Sequence, residues 1–317
     1  MSTTSSFHFA GALPARFRRQ RVLVVGCGDI GLRVARVLQG PATSTPRVRV
    51  LALTSSPERV VQLRAAGIVP LQGNLDDSAS LRRLAGLATR VLHLAPPPSV
   101  GGGTGVGPHD PRTTRLARSL RRRRLPQALV YASTSGVYGD CGGAWVTEAR
   151  PVAPTTPRAQ RRVDAERTVR QLGRAGVRAS ILRVPGIYAN DRVGGTPEAR
   201  LRKGTPVLAA PDDVFTNHIH ADDLARACAL ALWRGAAQRT YHVSDDSALK
   251  MGDYFDVAAD LYGLPRPPRL PRSAAQAQLP AMQLSFMSES RRLDNTRLHQ
   301  ELRLRLRYPS VVQGLRR

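Results

Sequence analysis

The chain has 317 residues, 42% of them apolar, with 48 lysines and arginines against 23 acids and a formal net charge of +25. That content suits one or two globular domains, and the longest apolar stretches, such as Ala227 to Trp233, fall far short of the roughly 20 residues of a membrane span. Cys27, Cys141 and Cys228 form no CxxC pair, which excludes a thiolate zinc site and a disulfide framework and points to a reducing, cytoplasmic setting.

All the basic residues but Lys203 and Lys250 are arginines, a bias that, with abundant Ala, Gly and Pro, reads as base composition and not as selection for a polyanion. Nucleic acid is therefore not an expected partner. The arginine runs Arg115 to Arg124 and Arg158 to Arg170 carry no interleaved aromatics and read as solvated helix faces. Residues 1–20 contain no acid, are rich in Ser and Thr and weakly resemble an organelle transit peptide; a secretory signal is excluded because their basic residues follow the apolar positions, and a disordered extension outside the fold is the first reading.

From Arg21 onward, short β-branched runs alternate with amphipathic segments. Val22 to Val25, Val48 to Leu53, Ile68 to Leu71, Val91 to Leu94, Ala128 to Ala132 and Ala179 to Val184 read as strands buried on both faces. Ile30, Val34, Val37 and Leu38 form one helical stripe; Val60, Val61 and Leu63 mark a second helix, and Leu81, Leu84 and Leu87 a third. The order predicts an α/β fold, a doubly wound parallel sheet of the Rossmann type with ligand at the carboxyl ends of its strands. Residues 21–185, completed by 216–250, form the expected nucleotide-binding domain. Residues 186–215 and 251–317, the latter broken by Pro265 to Pro271, form a small C-terminal substrate lobe over that crevice. His218 and His220 face one way on a strand but lack a third ligand, so no metal is expected, and Asp222 or Asp223 reads as the N-cap of a helix starting near Leu224. Gly101 to Gly107 has no following G-K-[ST] and reads as a lid, not a P-loop.

The most specific motif is Gly26-Cys27-Gly28-Asp29-Ile30-Gly31, set between the first strand and an amphipathic helix. Its glycines allow the tight turn, close approach to a pyrophosphate and close helix packing, with the helix N-terminus facing the phosphates. The second strand ends in Thr54-Ser55-Ser56-Pro57-Glu58-Arg59, with no acid placed to accept from a ribose 2′-hydroxyl and with Arg59 in reach of a 2′-phosphate. NADP(H) is the expected cofactor and NAD(H) the second choice. Glu58, after the proline, reads as a first-turn helix acid.

From Arg21 to Leu315 the chain resembles the extended short-chain dehydrogenase/reductase superfamily, the NAD-dependent epimerase/dehydratase group. Gly73-Asn74-Leu75-Asp76-Asp77 is similar to its adenine-flanking turn, with Asn74 in place of an Asp. Val91-Leu92-His93-Leu94-Ala95 resembles the strand beside the cofactor, and Tyr131-Ala132-Ser133-Thr134-Ser135-Gly136-Val137-Tyr138-Gly139 the active-site strand. Leu182-Arg183-Val184-Pro185-Gly186-Ile187-Tyr188 resembles the run near the nicotinamide, and His218 to Ala225 a late signature. The resemblance implies cofactor contacts from Gly26, Cys27, Gly28, Asp29, Ile30, Gly31, Thr54, Ser55, Arg59, Asn74, Leu75, Ala95, Pro96 and Pro185.

The departure lies in the catalytic pair. Counting back from Ala165-Glu166, the family's Y-x-x-x-K positions fall on Arg158 and Arg162, and an arginine cannot serve as a general base near neutrality. Thr134 fills the family's Ser/Thr position, to bind a substrate carbonyl or hydroxyl or to cap a turn. Tyr138 and Tyr188 stand as replacement acids or as pocket wall, and Arg162 as a contact to ribose or an anion or as solvated surface. The expectation is an atypical NAD(P)-dependent oxidoreductase or epimerase/dehydratase-like protein acting on a small molecule, sugar-nucleotide-like ones included. The alternative is a non-catalytic NADP(H) sensor. The helices through which such proteins dimerise carry the arginine runs here, leaving monomer and homodimer both open.

Overall fold

The computed structural model describes residues 20–40, 48–98 and 107–316. Residues 1–19 of the expected N-terminal extension and most of the Gly101 to Gly107 lid lie outside the described residues, while Gln20, counted with the extension, opens the first strand. The strands β1 (Gln20–Val25), β2 (Val48–Thr54), β3 (Val69–Gln72), β4 (Arg90–His93), β5 (Ala128–Thr134), β6 (Arg178–Val184) and β7 (Arg239–His242) form one parallel sheet in the order β7-β6-β5-β4-β1-β2-β3. Chain direction across the sheet reverses between β1 and β4, and a ligand crevice opens at the carboxyl ends of strands at such a point.

Side-chain alternation builds the two layers. Val22 and Val24 of β1 pack toward Val34 of α1 (Asp29–Gln39), past which α2 (Arg59–Ala65) follows β2 on the way to the edge strand. Leu23 and Val25 pack toward Leu116 and Leu120 of α3 (Pro111–Leu120) and Val169 and Leu172 of α4 (Pro157–Arg174). Asp110 and Thr156 cap α3 and α4 through their side-chain oxygens, each followed by a proline at the first helical position. The first layer is completed by Leu224, Cys228 and Leu232 of α5 (Ala221–Arg234).

Several expectations are corrected. The third stripe buries Leu81 and Leu84 but yields only a 3-10 turn over Arg82–Leu84, stopped by Gly86 at φ +71. Val37 and Val61 of the first two stripes point to solvent. Strand β3 is half-buried because it is the sheet edge. Helix α5 starts at Ala221, capped by His220 Nδ1 accepting from the Asp222 N–H, not by either aspartate. Asp223 is instead fully buried and accepts from Arg226 and from the backbone N–H groups of Arg307 and Tyr308, tying the C-terminal tail to this helix. Nor are the arginine runs uniformly solvated: Arg161 is buried, and Arg162 and Arg170 donate to Tyr131, Ala132, Gln238 and Thr240.

Beyond β6 the chain continues into a short pairing of Gly186–Tyr188 with His218–His220. A further core joins Tyr188, Leu201, Val207 and Leu208 to Tyr254, Phe255 and Ala258 of α6 (Met251–Tyr262) and to Val311 and Leu315. Among the described residues no helix is long and apolar enough to cross a membrane.

A buried polar network joins these parts. Arg183 of β6 donates in bidentate fashion to Glu166 of α4 at 3.1 and 2.8 Å and to the Tyr138 hydroxyl at 2.6 Å. His242 lies 2.8 Å from the Asp294 carbonyl through Nδ1, which must therefore carry the proton, so Nε2 accepts from the Tyr138 hydroxyl. Burial lowers the His242 pKa from 6.5 to about 4. As pH falls, the unfolded chain takes this proton first, so stability is lost from the unfolded value of 6.5 down through the folded one of about 4. Between about pH 7 and 5 the wild type is expected to lose about 2 kcal/mol more unfolding free energy than His242→Gln. Urea melts at the two pH values measure this, and equal losses would contradict the assignment.

Candidate functional site

The turn after β1 is shaped by its glycines. Gly26 sits at φ +88, where a Cβ would collide with the backbone of Ala95, 2.7 Å from its Cα and 2.9 Å from the Leu94 carbonyl carbon. Gly31 faces inward, its missing Cβ 3.1 Å from Cys27 Sγ, so it lets α1 pack onto the turn. Gly28 is different: among the described residues nothing lies within 4 Å of a Cβ at that position, and it precedes the first residue of α1 with no side-chain cap. An open glycine at a helix N-terminus with free backbone N–H groups fits a pyrophosphate.

The turn borders a cleft of about 480 Å³ at the carboxyl ends of the central strands. Of the residues singled out in the sequence, Gly26, Cys27, Gly28, Asp29, Ile30, Thr54, Ser55, Arg59, Pro96 and Arg162 line it. Gly31, Asn74, Leu75, Ala95 and Pro185 do not. Asn74 spends its side chain on an Asx turn, accepting from the Asp76 N–H, and Leu75 is buried in the core. Ala95 packs on Gly26 and donates to Val25 O, and Pro185 sits between lining residues without lining. Thr54 folds the end of β2 into a turn by accepting from the Ser56 N–H, and Glu58 bonds Ser56 instead of lining the cleft, which leaves Arg59 as the ionisable group at this end. Burial pushes the Cys27 thiol up to about 11, so it is a neutral wall.

The expected catalytic side chains separate. Thr134 Oγ1 accepts from the Gly136 N–H at 3.2 Å and caps the 3-10 turn Ser135–Tyr138, outside the cleft. Tyr138 is buried in the Arg183–His242 network, where burial pushes its phenol up to about 12. Tyr188 is also buried, donating toward Asp245 and the Ser310 carbonyl, its pKa raised by burial. Neither tyrosine lines the cleft. Arg162 does, while its Nη1 donates to Ala132 O at 2.8 Å and the Tyr131 hydroxyl at 3.0 Å. Arg158 lies outside it, stacked on Phe286.

Ser133, Val184, Ile187 and Leu224 fall within the resembling motifs without being singled out as contacts, and Arg192 falls in none of them; all five line the cleft. Ser133 is buried and its Oγ has no partner among the described residues. It is the next residue to Thr134, and only the capping geometry shows which hydroxyl serves the turn. Thr134→Ala is expected to cost about 1 kcal/mol in urea melts, as loss of a cap does, while Ser133→Ala changes stability little; the reverse order would overturn this assignment. His218 stacks on Tyr254, and among the described residues no cluster of His, Cys, Asp or Glu could hold a metal.

The family model for the NAD dependent epimerase/dehydratase family matches residues 22–244. No curated protein matches the chain by sequence. Among solved structures, a functionally unknown conserved protein from Silicibacter pomeroyi is 30% identical, with a TM-score of 0.73 over 93% of this chain and 96% of that one. A UDP-glucose 4-epimerase from Thermotoga maritima, solved with UDP-glucose, is 18% identical, with a TM-score of 0.74 over 93% and 96%. A dTDP-glucose 4,6-dehydratase from Streptomyces venezuelae, solved with NAD and TYD bound, is 22% identical, with a TM-score of 0.72 over 93% and 94%. The last two likenesses are of fold.

Proposed function

The chain belongs to the NAD dependent epimerase/dehydratase family, and on that premise we propose that it binds NADP(H) in this cleft and transfers hydride to and from a polar small molecule, with nucleotide sugars first among candidates. The single observation that carries this reading is the cleft itself: the open Gly28 at the α1 N-terminus, with Arg59 at one end and Ser133 and Arg162 at the other. Ser55 offers a hydroxyl, and Arg59 a guanidinium fork, to a ribose carrying a 2′-phosphate, while the Thr54 and Ser56 hydroxyls donate to the Ser56 carbonyl and to Glu58. The cytoplasm is the proposed compartment.

NADP(H), when bound, supplies the hydride or accepts it. Ser133 Oγ, without a hydrogen-bond partner among the described residues, donates to the reacting oxygen of the substrate. The Arg162 guanidinium, held by Ala132 O and Tyr131, adds positive charge beside that oxygen and stabilises negative charge developing there. With both candidate tyrosines buried elsewhere, the proton at that oxygen is exchanged with water through the cleft mouth. This sets the protein apart from members that carry a Tyr and a Lys at the positions of Arg158 and Arg162.

The test is NADPH oxidation against a panel of carbonyl compounds that includes keto sugar nucleotides. The expected result is turnover that falls in Ser133→Ala and Arg162→Met while NADPH still binds. NADPH binding without turnover on any member of the panel would favour the sensor reading, which the loss of both family catalytic residues otherwise supports.

A further inference from the structure

Arg192 enters the cleft from outside the sheet, on the segment that follows the Gly186–Tyr188 strand. Its Nε lies 3.2 Å from Asp29 Oδ2 at the first position of α1, and its Nη1 donates to the Ile187 carbonyl at 2.9 Å. The preceding residue, Asp191, accepts from Arg33 Nη2 at 2.6 Å. Arg33 is buried in α1 and also donates to Asp29 Oδ1 at 3.0 Å and Asp222 Oδ1 at 2.5 Å. The segment is thus fastened to the N-terminal half of α1 by two ion pairs of opposite sense, Asp191 to Arg33 and Arg192 to Asp29.

These charges do not balance. Asp29, Asp191 and Asp222 face Arg33 and Arg192, with His220 Nδ1 at 4.0 Å from Asp222, its pKa lowered chiefly by burial and its ring thus neutral near neutrality. One negative charge remains beside the place where a dianionic pyrophosphate would lie, a repulsion that must be relieved for binding. Arg33 is spent on three carboxylates and buried. Arg192 is partly exposed, and the oxygen it faces, Asp29 Oδ2, makes no hydrogen bond among the described residues. It is the cation of this cluster that can turn to an incoming anion.

We infer that Arg192 is a ligand of the cofactor's pyrophosphate, exchanging Asp29 for phosphate oxygen when the dinucleotide binds. The inference rests on the cofactor reading above. It makes the 189–195 segment part of the nucleotide site, opposite the glycine turn, and makes Asp29 a competitor for the arginine and not a ligand.

The experiment is calorimetric titration of wild type, Arg192→Ala, Asp29→Asn and Arg59→Ala with NADPH, NADH and adenosine 2′-monophosphate, which has no pyrophosphate. Arg192→Ala is expected to weaken NADPH and NADH alike, by about tenfold, and to leave adenosine 2′-monophosphate unchanged. Asp29→Asn, whose Oδ1 can still accept from Arg33, is expected to tighten both dinucleotides, a gain that damage to the cleft would not produce. Equal NADPH affinity in Arg192→Ala and wild type, or loss of all three ligands together in a variant with a wild-type melt, would overturn the inference and leave the cofactor reading standing. Failure of wild type to bind either dinucleotide would overturn both.

Discussion

Arg183→Met is expected to destabilise the protein by about 3–5 kcal/mol, the cost of leaving a buried carboxylate without its partner. Arg183 and Glu166 are both nearly inaccessible to solvent, and their bidentate pairing joins β6 to α4 through charge. The same guanidinium donates to Tyr138, which in turn bonds His242, so the substitution removes a donor from a phenol that is also buried. Arg183→Met combined with Glu166→Met is expected to regain most of the loss, because the penalty comes from the orphaned charge more than from the missing attraction. Urea unfolding of the two variants measures both values. A single variant within about 1 kcal/mol of wild type would show that the network does not hold α4 in place. Function follows from this position: Arg162 is on α4 and Val184 ends β6, and both line the cleft.

The second large effect separates two glycines two residues apart. Gly26→Ala must accept φ +88 and a collision with the Ala95 backbone, which cannot retreat because the Ala95 N–H donates to Val25 O. The strain and the overpacking together are expected to cost about 3 kcal/mol or more and to abolish nucleotide binding. Gly28→Val keeps a negative φ of −79, and its Cβ meets no atom of the described residues within 4 Å, so it is expected to fold as the wild type does. Its side chain instead occupies the cleft and is expected to weaken NADPH by at least about a hundredfold, which is roughly 2.7 kcal/mol. Thermal melts paired with titrations read the two effects separately. Undiminished NADPH affinity in a folded Gly28→Val would show that the nucleotide does not bind against this turn.

The sheet and the glycine turn were legible because their signals are local. Continuous β-branched runs such as Val22 to Val25 and Val48 to Leu53 specify strands, and the strand-glycine-helix context specifies the turn. Non-local geometry was not legible. Thr134 and Ser133 are neighbours with similar side chains, and only the capping bond to the Gly136 N–H assigns one to the turn and leaves the other to the cleft. Tyr138 occupies a family motif position, but its burial against Arg183 and His242 depends on strands that meet only in the fold. Arg192 stands far from Asp29 in sequence and carries no motif of its own. The aspartates at 222 and 223 looked like caps because their spacing before an apolar stripe suits one, yet one pairs with Arg33 and the other secures the C-terminal tail.

NADP(H) is proposed to sit in this cleft with Arg59 at its 2′-phosphate. The most direct test is calorimetric titration with NADPH and NADH at about 0.15 M salt, where attraction to the basic surface is screened beyond roughly 8 Å. Tighter binding of NADPH than NADH, with the difference removed in Arg59→Ala, is the expected result. Tighter binding of NADH, or a preference for NADPH that survives Arg59→Ala, would contradict it.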